Sequence, residues 1–323
     1  MRRELDGDGM STDSPIFVVG APRSGTTLLQ RMLRSHPRIS SPTGESHFIV
    51  SLLADAASFG DLTQRENVLA VLRDMHRRST EFMETDLHGT MFDLEALADA
   101  ILKRNVKTMP QVIDALFRIN AEGEGKARWL DKTPYYVHHI PLLAAVYPDA
   151  QFVHIIRDGR DAVLSMLERS ADIRVFSVFQ GAKLWKGFVD AGRAIGAVLP
   201  EGRYLEFRYE DLLVDQEGTV RRVCEFLGEP FSDQVINFQK SSDPLTKTPL
   251  LKEKLKTDNR EKWRERMTPR QVATFEAVAG GTLVDCGYPL AGQPGKTGLS
   301  ERAFWHLHDR LMQRLHPHPR TAS

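Results

Sequence analysis

The strongest structural signal in the chain lies in Ile16-Phe-Val-Val-Gly-Ala-Pro-Arg-Ser-Gly-Thr-Thr-Leu-Leu29. Its first four residues form an apolar run, rich in β-branched side chains, that ends at Gly20. Such a run predicts a buried parallel strand. Beyond the glycines, apolar residues recur at helical spacing as far as Leu33, so a helix follows and ends near His36-Pro37. Strand, glycine-bearing loop and helix in this order indicate an α/β fold.

Strands and helices are predicted to alternate along the rest of the chain. Gln151-Phe-Val-His-Ile-Ile156 reads as a second strand and is followed by a helix from Asp158 to Arg169. A strand over 203–208 precedes a helix over 216–227 in the same way. Strands separated by helices are typical of a parallel sheet covered on both faces. We therefore predict a P-loop-like three-layer α/β fold, in which helices flank a central parallel sheet, with a helical insertion and a C-terminal helix added.

The chain is predicted to contain one main domain between two flanking segments. Residues 1–14 are polar and acidic, which predicts a disordered lead-in. The main domain covers 15–290, and within it 48–128 are mostly helical by pattern. Thr108-Met-Pro-Gln111 has the capping-box spacing that begins a helix, and Gly228 is predicted to close the helix over 216–227. Residues 291–323 begin as a Gly/Pro linker and continue as a C-terminal helix.

The C-terminal helix is predicted to be basic and amphipathic, with Ser300 as its cap. One face carries the apolar side chains Phe304, Leu307, Leu311 and Leu315. We expect this face to dock on the protein itself or on a second subunit, because apolar stripes of this kind are usually buried. Binding to a membrane surface or to another partner is the alternative.

Composition argues against several classes of protein. The 323 residues include 43 Lys and Arg and 43 Asp and Glu, so there is no global basic field for nucleic acid. Cys224 and Cys286 are the only cysteines, too few for a disulfide framework or a zinc site. The N-terminus lacks the apolar run of a signal peptide, and no stretch approaches the roughly 20 apolar residues of a membrane span. A cytoplasmic protein without a transmembrane segment is predicted.

The loop from Gly20 to Thr27 has the spacing of a phosphate-binding loop. Its glycines follow the pattern G-x-x-x-x-G, which lets backbone N–H groups approach phosphate oxygens at a helix N-terminus. A nucleotide triphosphatase would carry lysine after the second glycine, whereas Thr26 stands there in this chain. The strand 151–156 also runs into Arg157, so its end offers no convincing acidic metal ligand. The loop is therefore predicted to bind an anionic group without Mg²⁺, through Arg23, Ser24, Gly25, Thr26 and Thr27.

A second anion site is predicted after the strand 151–156. Arg157 ends that strand, Ser165 lies on the following helix, and Arg169 comes one turn later on the same face. A guanidinium fork, a hydroxyl and a second guanidinium can converge there on one anion. Taken alone, the Arg-Asp-x-Arg-Asp pattern fits a solvated helix start with local ion pairs equally well.

Together the two sites resemble the family of sulfotransferases that depend on 3′-phosphoadenosine 5′-phosphosulfate (PAPS). The nearest branch is the one that includes tyrosylprotein sulfotransferases and many bacterial enzymes. The matching motifs occur in the family's order: Pro22-Arg-Ser-Gly-Thr-Thr-Leu28 with His36-Pro37, Gly44-Glu45, Asp131-Lys-Thr-Pro134, Ile156-Arg-Asp158 with Ser165, Arg208-Tyr-Glu-Asp-Leu212 and Lys262-Trp263.

The resemblance implies a donor site without metal, with PAPS as donor and 3′,5′-ADP (PAP) as product. The loop and Arg23 would hold the 5′-phosphosulfate. Arg157 and Ser165 would hold the 3′-phosphate, with Arg169 adjacent. Two further residues are implied around the nucleotide, Tyr209 near the adenine and Lys262 as part of its cover.

The resemblance also implies the residues that carry the reaction. Lys132 would contact the bridging or sulfuryl oxygen, and Glu45 would be the base that takes the acceptor proton. His47 is the alternative base, because the ordinary pKa of histidine suits neutral pH and many relatives use histidine. The tyrosylprotein branch often has arginine where this chain has His47, and this departure argues against carrying over its recognition of acceptor peptides.

The predicted function is in-line transfer of a sulfuryl group from PAPS to an acceptor hydroxyl or amine. The acceptor is a small molecule, sugar, lipid or peptide, and a homo-oligomer is left open. One alternative is a P-loop kinase or nucleotide triphosphatase, against which the missing lysine argues. Another is a catalytically inactive nucleotide-binding relative, against which Glu45, Lys132 and Arg23 argue. His36 is interpreted as a helix end, and the tryptophans Trp129, Trp185 and Trp263 as core.

Overall fold

A sheet of parallel strands lies at the centre of the protein. The computed structural model describes residues 13–80, 82–87, 93–240, 258–292 and 298–316. Within these ranges five strands pair in the order β2-β3-β1-β4-β5, all in parallel. They are β1 (Ile16–Val19), β2 (Ile39–Ser40), β3 (Arg128–Lys132), β4 (Gln151–Ile156) and β5 (Tyr204–Arg208).

Helices connect and cover the strands. The α-helices of the first half are α1 (Thr26–Arg34), α2 (Ile49–Ala54), α3 (Arg65–Arg78), α4 (Leu94–Leu102), α5 (Met109–Gly123), α6 (Ile140–Val146) and α7 (Gly159–Leu167). Those of the second half are α8 (Ser170–Ile173), α9 (Val178–Gly196), α10 (Tyr209–Val214), α11 (Gln216–Leu227), α12 (Asp233–Ile236), α13 (Trp263–Arg266), α14 (Pro269–Asp285) and α15 (Leu299–Leu315). Short 3₁₀ helices cover Ala56–Phe59, Pro134–His139 and Phe238–Lys240, and a π-helical turn covers Phe82–Asp86.

The two faces of the sheet support separate layers, because successive side chains of a strand point to opposite sides. Phe17 and Val19 pack into a core with α2–α7, α9 and α14. Ile16 and Val18 pack into a second core with α1, α10, α11 and α12. The predicted fold class, a parallel sheet flanked by helices, is confirmed.

Local sequence signals set several helix ends as predicted. The side chain of Gln111 accepts a hydrogen bond from the backbone N–H of Thr108 at 3.2 Å, as the spacing of a capping box requires. Gly228 ends α11 in the left-handed region, with φ of 70°. Residues 1–12 of the predicted lead-in lie outside the described residues, and Ser14 at its end is buried.

The C-terminal helix differs from its prediction in two respects. Its N-cap is Gly298, whose extended backbone (φ −64°, ψ 160°) precedes α15, so Ser300 lies inside the helix and is not the cap. The apolar stripe also does not dock on the protein itself, since Phe304, Leu307, Leu311 and Leu315 are 58, 70, 54 and 63% exposed, and docking on a second subunit stays a prediction. The reason is that α15 contacts the body of the protein through another side. No described helix combines the length and the apolar character that crossing a bilayer requires.

Candidate active site

The predicted site residues meet at the carboxyl edge of the sheet. Gly20 follows β1, Lys132 ends β3, and Arg157 follows β4 directly. Tyr209 follows β5 at the same edge. β1 lies between β3 and β4, and the connections that follow β1 and β4 lead toward opposite edges of the sheet. A crevice therefore opens between the carboxyl ends of β1 and β4. This is the position at which open parallel sheets bind their ligands.

The loop between β1 and α1 requires both of its glycines. A Cβ on Gly20 would lie 2.6 Å from the carbonyl oxygen of Ile155, and one on Gly25 would lie 2.5 Å from Cδ2 of Tyr209. Gly25 has φ of 97°, and α1 begins at the next residue. The loop therefore lies close against β4 and α10, and its backbone leads directly into the positive end of α1.

Arg23, which belongs to this loop, is in direct contact with Arg157. Arg23, itself at φ of 67°, donates from Nε to Oγ of Ser165 at 2.9 Å. Arg157 donates from Nη1 to the carbonyl oxygen of Arg23 at 3.2 Å and from Nη2 to that of Asn259 at 3.1 Å. Burial, and then the charges of Arg169 and Arg157, lower the pKa of Arg23. Guanidinium groups crowded in this way attract an anion strongly.

Beside the phosphate loop, two buried polar atoms have no hydrogen-bond partner among the described residues. They are Oγ of Ser24 in the loop and Nε of Arg157. Buried polar atoms are usually satisfied, so unpaired donors in a polar crevice indicate where a ligand contributes acceptors. An oxyanion suits both atoms.

The structure separates Arg169 and Lys262 from these contacts. Arg169 lies beyond the end of α7 and donates to Oδ2 of Asp172 at 2.8 Å, although its charge still acts on Arg23. Lys262 is exposed at the N-cap position of α13, beside the buried Trp263. Both residues therefore lie at the periphery of the arginine pair.

Tyr209 connects three parts of the site. The guanidinium of Arg157 stacks on its ring, 4.9 Å from the centroid, and the ring edge borders Gly25. Its hydroxyl accepts a hydrogen bond from Nδ2 of Asn259 at 2.9 Å. Burial raises the pKa of Tyr209, so the hydroxyl stays neutral. Asn259 was missed by sequence reasoning, because it lies in no motif and nothing local marks its contact with Tyr209.

Glu45 is paired on both sides of its carboxylate. Nζ of Lys132 donates to Oε1 at 2.6 Å, and Nε2 of His47 lies 3.2 Å from Oε2. Burial alone would raise the pKa of Glu45, but the hydrogen bond from His47 and the charge of Lys132 outweigh it and hold the pKa at about 2. The carboxylate is 32% exposed, whereas Lys132 is only 4% exposed. The pair therefore has its lysine inside and its carboxylate facing outward.

The segment that carries Glu45 is anchored from α1. The buried Gln30 donates from Nε2 to the carbonyl oxygens of Pro42 at 2.6 Å and of Gly44 at 3.4 Å. On the other side, the backbone N–H of Ser46 donates to Oγ1 of Thr133 at 3.2 Å. Sequence reasoning missed Gln30, because a lone glutamine on a helix carries no signal for a contact with a distant loop.

A buried carboxylate lies directly beside this pair. Asp131 precedes Lys132 on β3 and is 1% exposed, and neither of its oxygens has a hydrogen-bond partner of normal geometry among the described residues. Burial raises its pKa to about 6, against the opposing effect of the Ser46 and Thr133 hydroxyls and the Lys132 charge. Asp131 is therefore protonated more readily than an ordinary aspartate.

His36 and the three tryptophans have the structural roles predicted for them. Nε2 of His36 lies 2.8 Å from the carbonyl oxygen of Pro230, and Nδ1 accepts from the backbone N–H of Arg38 at 3.1 Å. Trp129, Trp185 and Trp263 are buried. Trp185 has a further contact that the sequence did not predict, because its Nε1 donates to the carbonyl oxygen of Arg157 at 3.0 Å and so fixes the end of β4.

Known proteins of similar sequence span most of this chain. Protein-tyrosine sulfotransferase A of Caenorhabditis elegans is 25% identical over 312 residues, which cover 90% of this chain and 72% of that protein. The omega-hydroxy-beta-dihydromenaquinone-9 sulfotransferase Stf3 of Mycobacterium tuberculosis is 27% identical and covers 67% of this chain and 63% of its own. An uncharacterised protein of Aquifex aeolicus is 28% identical over 80% of this chain, which spans only 32% of that relative.

Solved structures and a family model agree with these relatives. The sulfotransferase domain of the Synechococcus PCC 7002 olefin synthase matches with a TM-score of 0.59 at 23% identity, over 85% of this chain and 98% of that domain. The likeness at this identity concerns the fold. The model of the sulfotransferase family matches residues 15–233, well over half of the chain. The chain therefore belongs to the sulfotransferase family, as the order of its motifs predicts.

Proposed function

We propose that this protein transfers the sulfuryl group of PAPS to an acceptor hydroxyl. The observation that carries the proposal is the 2.6 Å pair of Lys132 and Glu45 at the sheet edge that also holds the phosphate loop and the arginine pair. One side of this edge has the chemistry to hold a nucleotide anion. The other side has a lysine and a carboxylate. The lysine can stabilise charge on the leaving oxygen, and the carboxylate can accept the proton of the attacking hydroxyl.

The contacts of the loop support the proposed donor site. The backbone from Arg23 to Thr27, at the positive end of α1, would hold the 5′-phosphosulfate, and Oγ of Ser24 would donate to it. Arg157 and Ser165 would hold the 3′-phosphate, with Arg169 adding charge at the rim. Tyr209 would lie near the adenine and Lys262 would cover it. The unpaired buried atoms of Ser24 and Arg157 fit an oxyanion donor, and the loop lacks the lysine of a nucleotide triphosphatase.

In the proposed reaction the chain stabilises charge and accepts one proton. The acceptor oxygen forms a bond to sulfur while the bond from sulfur to the 5′-phosphate oxygen breaks, and PAP leaves with that electron pair. Lys132 and the loop amides balance the charge on the leaving oxygen, and Glu45 takes the acceptor proton. Lys132 must turn from Glu45 toward the donor for this to occur, which releases the carboxylate at the moment when a base is needed.

Glu45 is preferred over His47 as the base because of its position. Glu45 bridges the buried Lys132 and the solvent, and the side chain of His47 is 57% exposed on its far side. A base must lie within hydrogen-bond reach of the acceptor proton, and Glu45 is the candidate held against Lys132, the residue proposed to contact the reacting oxygens. His47 then orients the second carboxylate oxygen.

The acceptor is proposed by its chemical class. Its relatives carry the names of enzymes that act on protein tyrosine and on a menaquinone, and both of these acceptors are hydroxyl compounds. We propose a hydroxyl-bearing small molecule, sugar, lipid or peptide that enters beside the helical stretch 48–128. The cytoplasmic location and a homo-oligomeric state stay predictions.

Thermal unfolding with nucleotides and a transfer assay test the proposal together. PAP at 100 times its dissociation constant should stabilise the protein by about 2.7 kcal/mol, whereas Mg-ATP should not. Radiolabelled PAPS with pooled acceptors should yield labelled product. Glu45→Gln should retain PAP affinity and lose transfer by about 10²- to 10⁴-fold. Full activity in this variant would make His47 the base, and stabilisation by Mg-ATP in place of PAP would favour the kinase alternative.

The 3′-phosphate site has its own test. Arg157→Ala should weaken binding of PAP far more than binding of 5′-AMP, because only PAP carries the 3′-phosphate. A charge-assisted contact of this kind contributes roughly 1.5–3 kcal/mol, or about 10- to 100-fold in affinity. Equal losses for both nucleotides would exclude Arg157 from the 3′-phosphate.

A further inference from the structure

We propose that α15 docks this protein on the surface of an anionic lipid bilayer. The proposal does not depend on the transfer reaction. It starts from the apolar stripe, defined as Phe304, Leu307, Leu311 and Leu315, each of which is more than half exposed. Stable helices of soluble domains turn such a stripe toward the core, and this one does the opposite.

The polar side of α15 holds the helix on the protein. The ring of His306 packs edge-on against Phe179 with centroids 5.4 Å apart, and His316 stacks on Phe176 at 5.3 Å. Between them, Arg174 donates from Nη2 to the carbonyl oxygen of Gln313 at 3.0 Å. At 3.6 residues per turn these contacts lie on the side of the helix opposite the stripe. Leu307, Leu311 and Leu315 therefore point away from the body, whereas Phe304 also lines a cavity between α15 and the body.

The charged residues beside the apolar stripe favour an anionic partner. Arg310 and Arg314 are exposed along one edge of it. Over residues 303–316, where the side chains of α15 are described, the one acidic residue is Asp309, which is buried and lies 3.1 Å from His308. An outward face of leucine and phenylalanine edged by arginine has the chemistry of helices that lie in the plane of an anionic membrane surface.

A second copy of the chain matches this face less well. In an antiparallel pair related by a two-fold axis, the edge with Arg310 and Arg314 would meet the same edge of the other copy. Like charges would then face each other without an exposed acidic partner on the described part of the helix. Lipid phosphates would neutralise the same arginines. The charges of α15 therefore favour an anionic bilayer over a second copy of the chain.

Co-flotation of the full chain with vesicles tests the proposal. Vesicles of phosphatidylcholine with about a third phosphatidylserine should carry the protein, and pure phosphatidylcholine should carry much less. Leu307→Glu/Leu311→Glu should reduce flotation at least about tenfold, because two charges enter the apolar layer. Arg310→Ala/Arg314→Ala should reduce it by about fivefold per arginine, with the loss greatest at low salt.

Val198→Glu/Val214→Glu is the matched control. These residues are 76 and 67% exposed elsewhere on the surface, so the variant carries the same charge change without touching α15. It should float like the unmodified chain, and all variants should keep the unmodified melting temperature within a few degrees. Sedimentation equilibrium is run in parallel. Absence of flotation overturns the proposal, and so does a dimer that Leu307→Glu/Leu311→Glu converts to monomer, which would assign the stripe to a second copy.

Discussion

At the scale of single residues, Glu45 has two properties that conflict in a base. It lies against Lys132, where the proposed mechanism delivers the acceptor proton, yet its pKa of about 2 makes it a poor proton acceptor. The conflict is resolved if Lys132 leaves the carboxylate when the donor binds, because burial then raises the pKa again. In the proposed mechanism the strength of the base thus depends on an occupied donor site.

Lys132→Met should reveal this dependence in the pH profile of kcat/KM. The carboxylate is the active form, so activity is present above the pKa of Glu45 and is lost as the pH falls through it. With that pKa at about 2, Glu45 produces no acidic limb near neutral pH in the unmodified protein. Removing Lys132 leaves burial opposed by His47 alone, so the pKa rises and a limb should move up toward about pH 4–6. Transfer should also fall by about 10²- to 10³-fold.

His47→Ala is the informative companion to this variant. If Glu45 is the base, the loss of the hydrogen bond from His47 should also move the acidic limb upward while substantial activity remains. An inactive His47→Ala together with an unmoved limb in Lys132→Met would instead identify His47 as the base.

The sequence predicts the motif residues of the site but not the residues that support them. The hydrogen bond from Arg23 to Ser165, which joins the two predicted anion sites, was not expected from the sequence. Arg23 was predicted as a ligand of the loop, and Arg157 and Ser165 were predicted to converge on a second anion. Gln30, Asn259 and Trp185 were not predicted as site residues, although each hydrogen-bonds a site segment. Their contacts join residues far apart in the chain, and the identity of one side chain contains no information about which distant carbonyl or hydroxyl it will meet.

At the scale of elements, the unit formed by β1, the loop and α1 depends on Gly25. Gly25→Ala should destabilise the protein and weaken PAP binding, because its Cβ would lie 2.5 Å from the ring of Tyr209 at φ of 97°. Gly125→Ala is a matched control, since Gly125 also has positive φ, at 69°, but nothing lies within 4 Å of the added Cβ. The control should cost about 1–2 kcal/mol for its backbone conformation alone.

Urea denaturation and PAP titration of the two alanine variants check this difference. Gly25→Ala should lose clearly more stability than Gly125→Ala and should bind PAP at least about tenfold more weakly, because the loop amides shift with Tyr209. Equal stability losses with unchanged PAP binding in both variants would mean that the loop tolerates the contact and that Gly25 is not needed for it.

Strands and helices were predicted well where apolar residues repeat regularly, and less well at the ends of helices. The apolar runs of β1 and β4 and the capping signal of α5 gave the strands and the helix start that the structure has. The cap of α15 was wrong by two residues, because Gly298 and Ser300 both suit an N-cap and only the backbone conformation distinguishes them. Its stripe was expected to dock on the protein itself or on a second subunit, and the first of these is wrong, because periodicity shows that one face is apolar but not which way that face points.

At the scale of the whole molecule, α14 and α15 relate to the core in different ways. Phe275, Ala279 and Leu283 of α14 are fully buried in the larger core, where Phe275 packs on Trp185 at 5.7 Å. The contacts of α15 are aromatic and polar and lie at the surface, and its stripe contributes nothing to either core. The layers on the two sides of the sheet should therefore fold without the last helix.

A chain that ends at Gly292 tests this division. It should unfold cooperatively within a few degrees of the full chain, since about 1 kcal/mol corresponds to at most roughly 4 °C in a protein of this size. PAP should stabilise it as it stabilises the full chain, because loop, arginines and Glu45 are all retained, whereas flotation with anionic vesicles should be lost. Thermal unfolding with and without PAP measures the first two quantities. A large loss of stability or of the PAP response would place α15 in the folded core, and the exposed stripe would then have to be explained by closure of that helix onto the body rather than by a surface outside the protein.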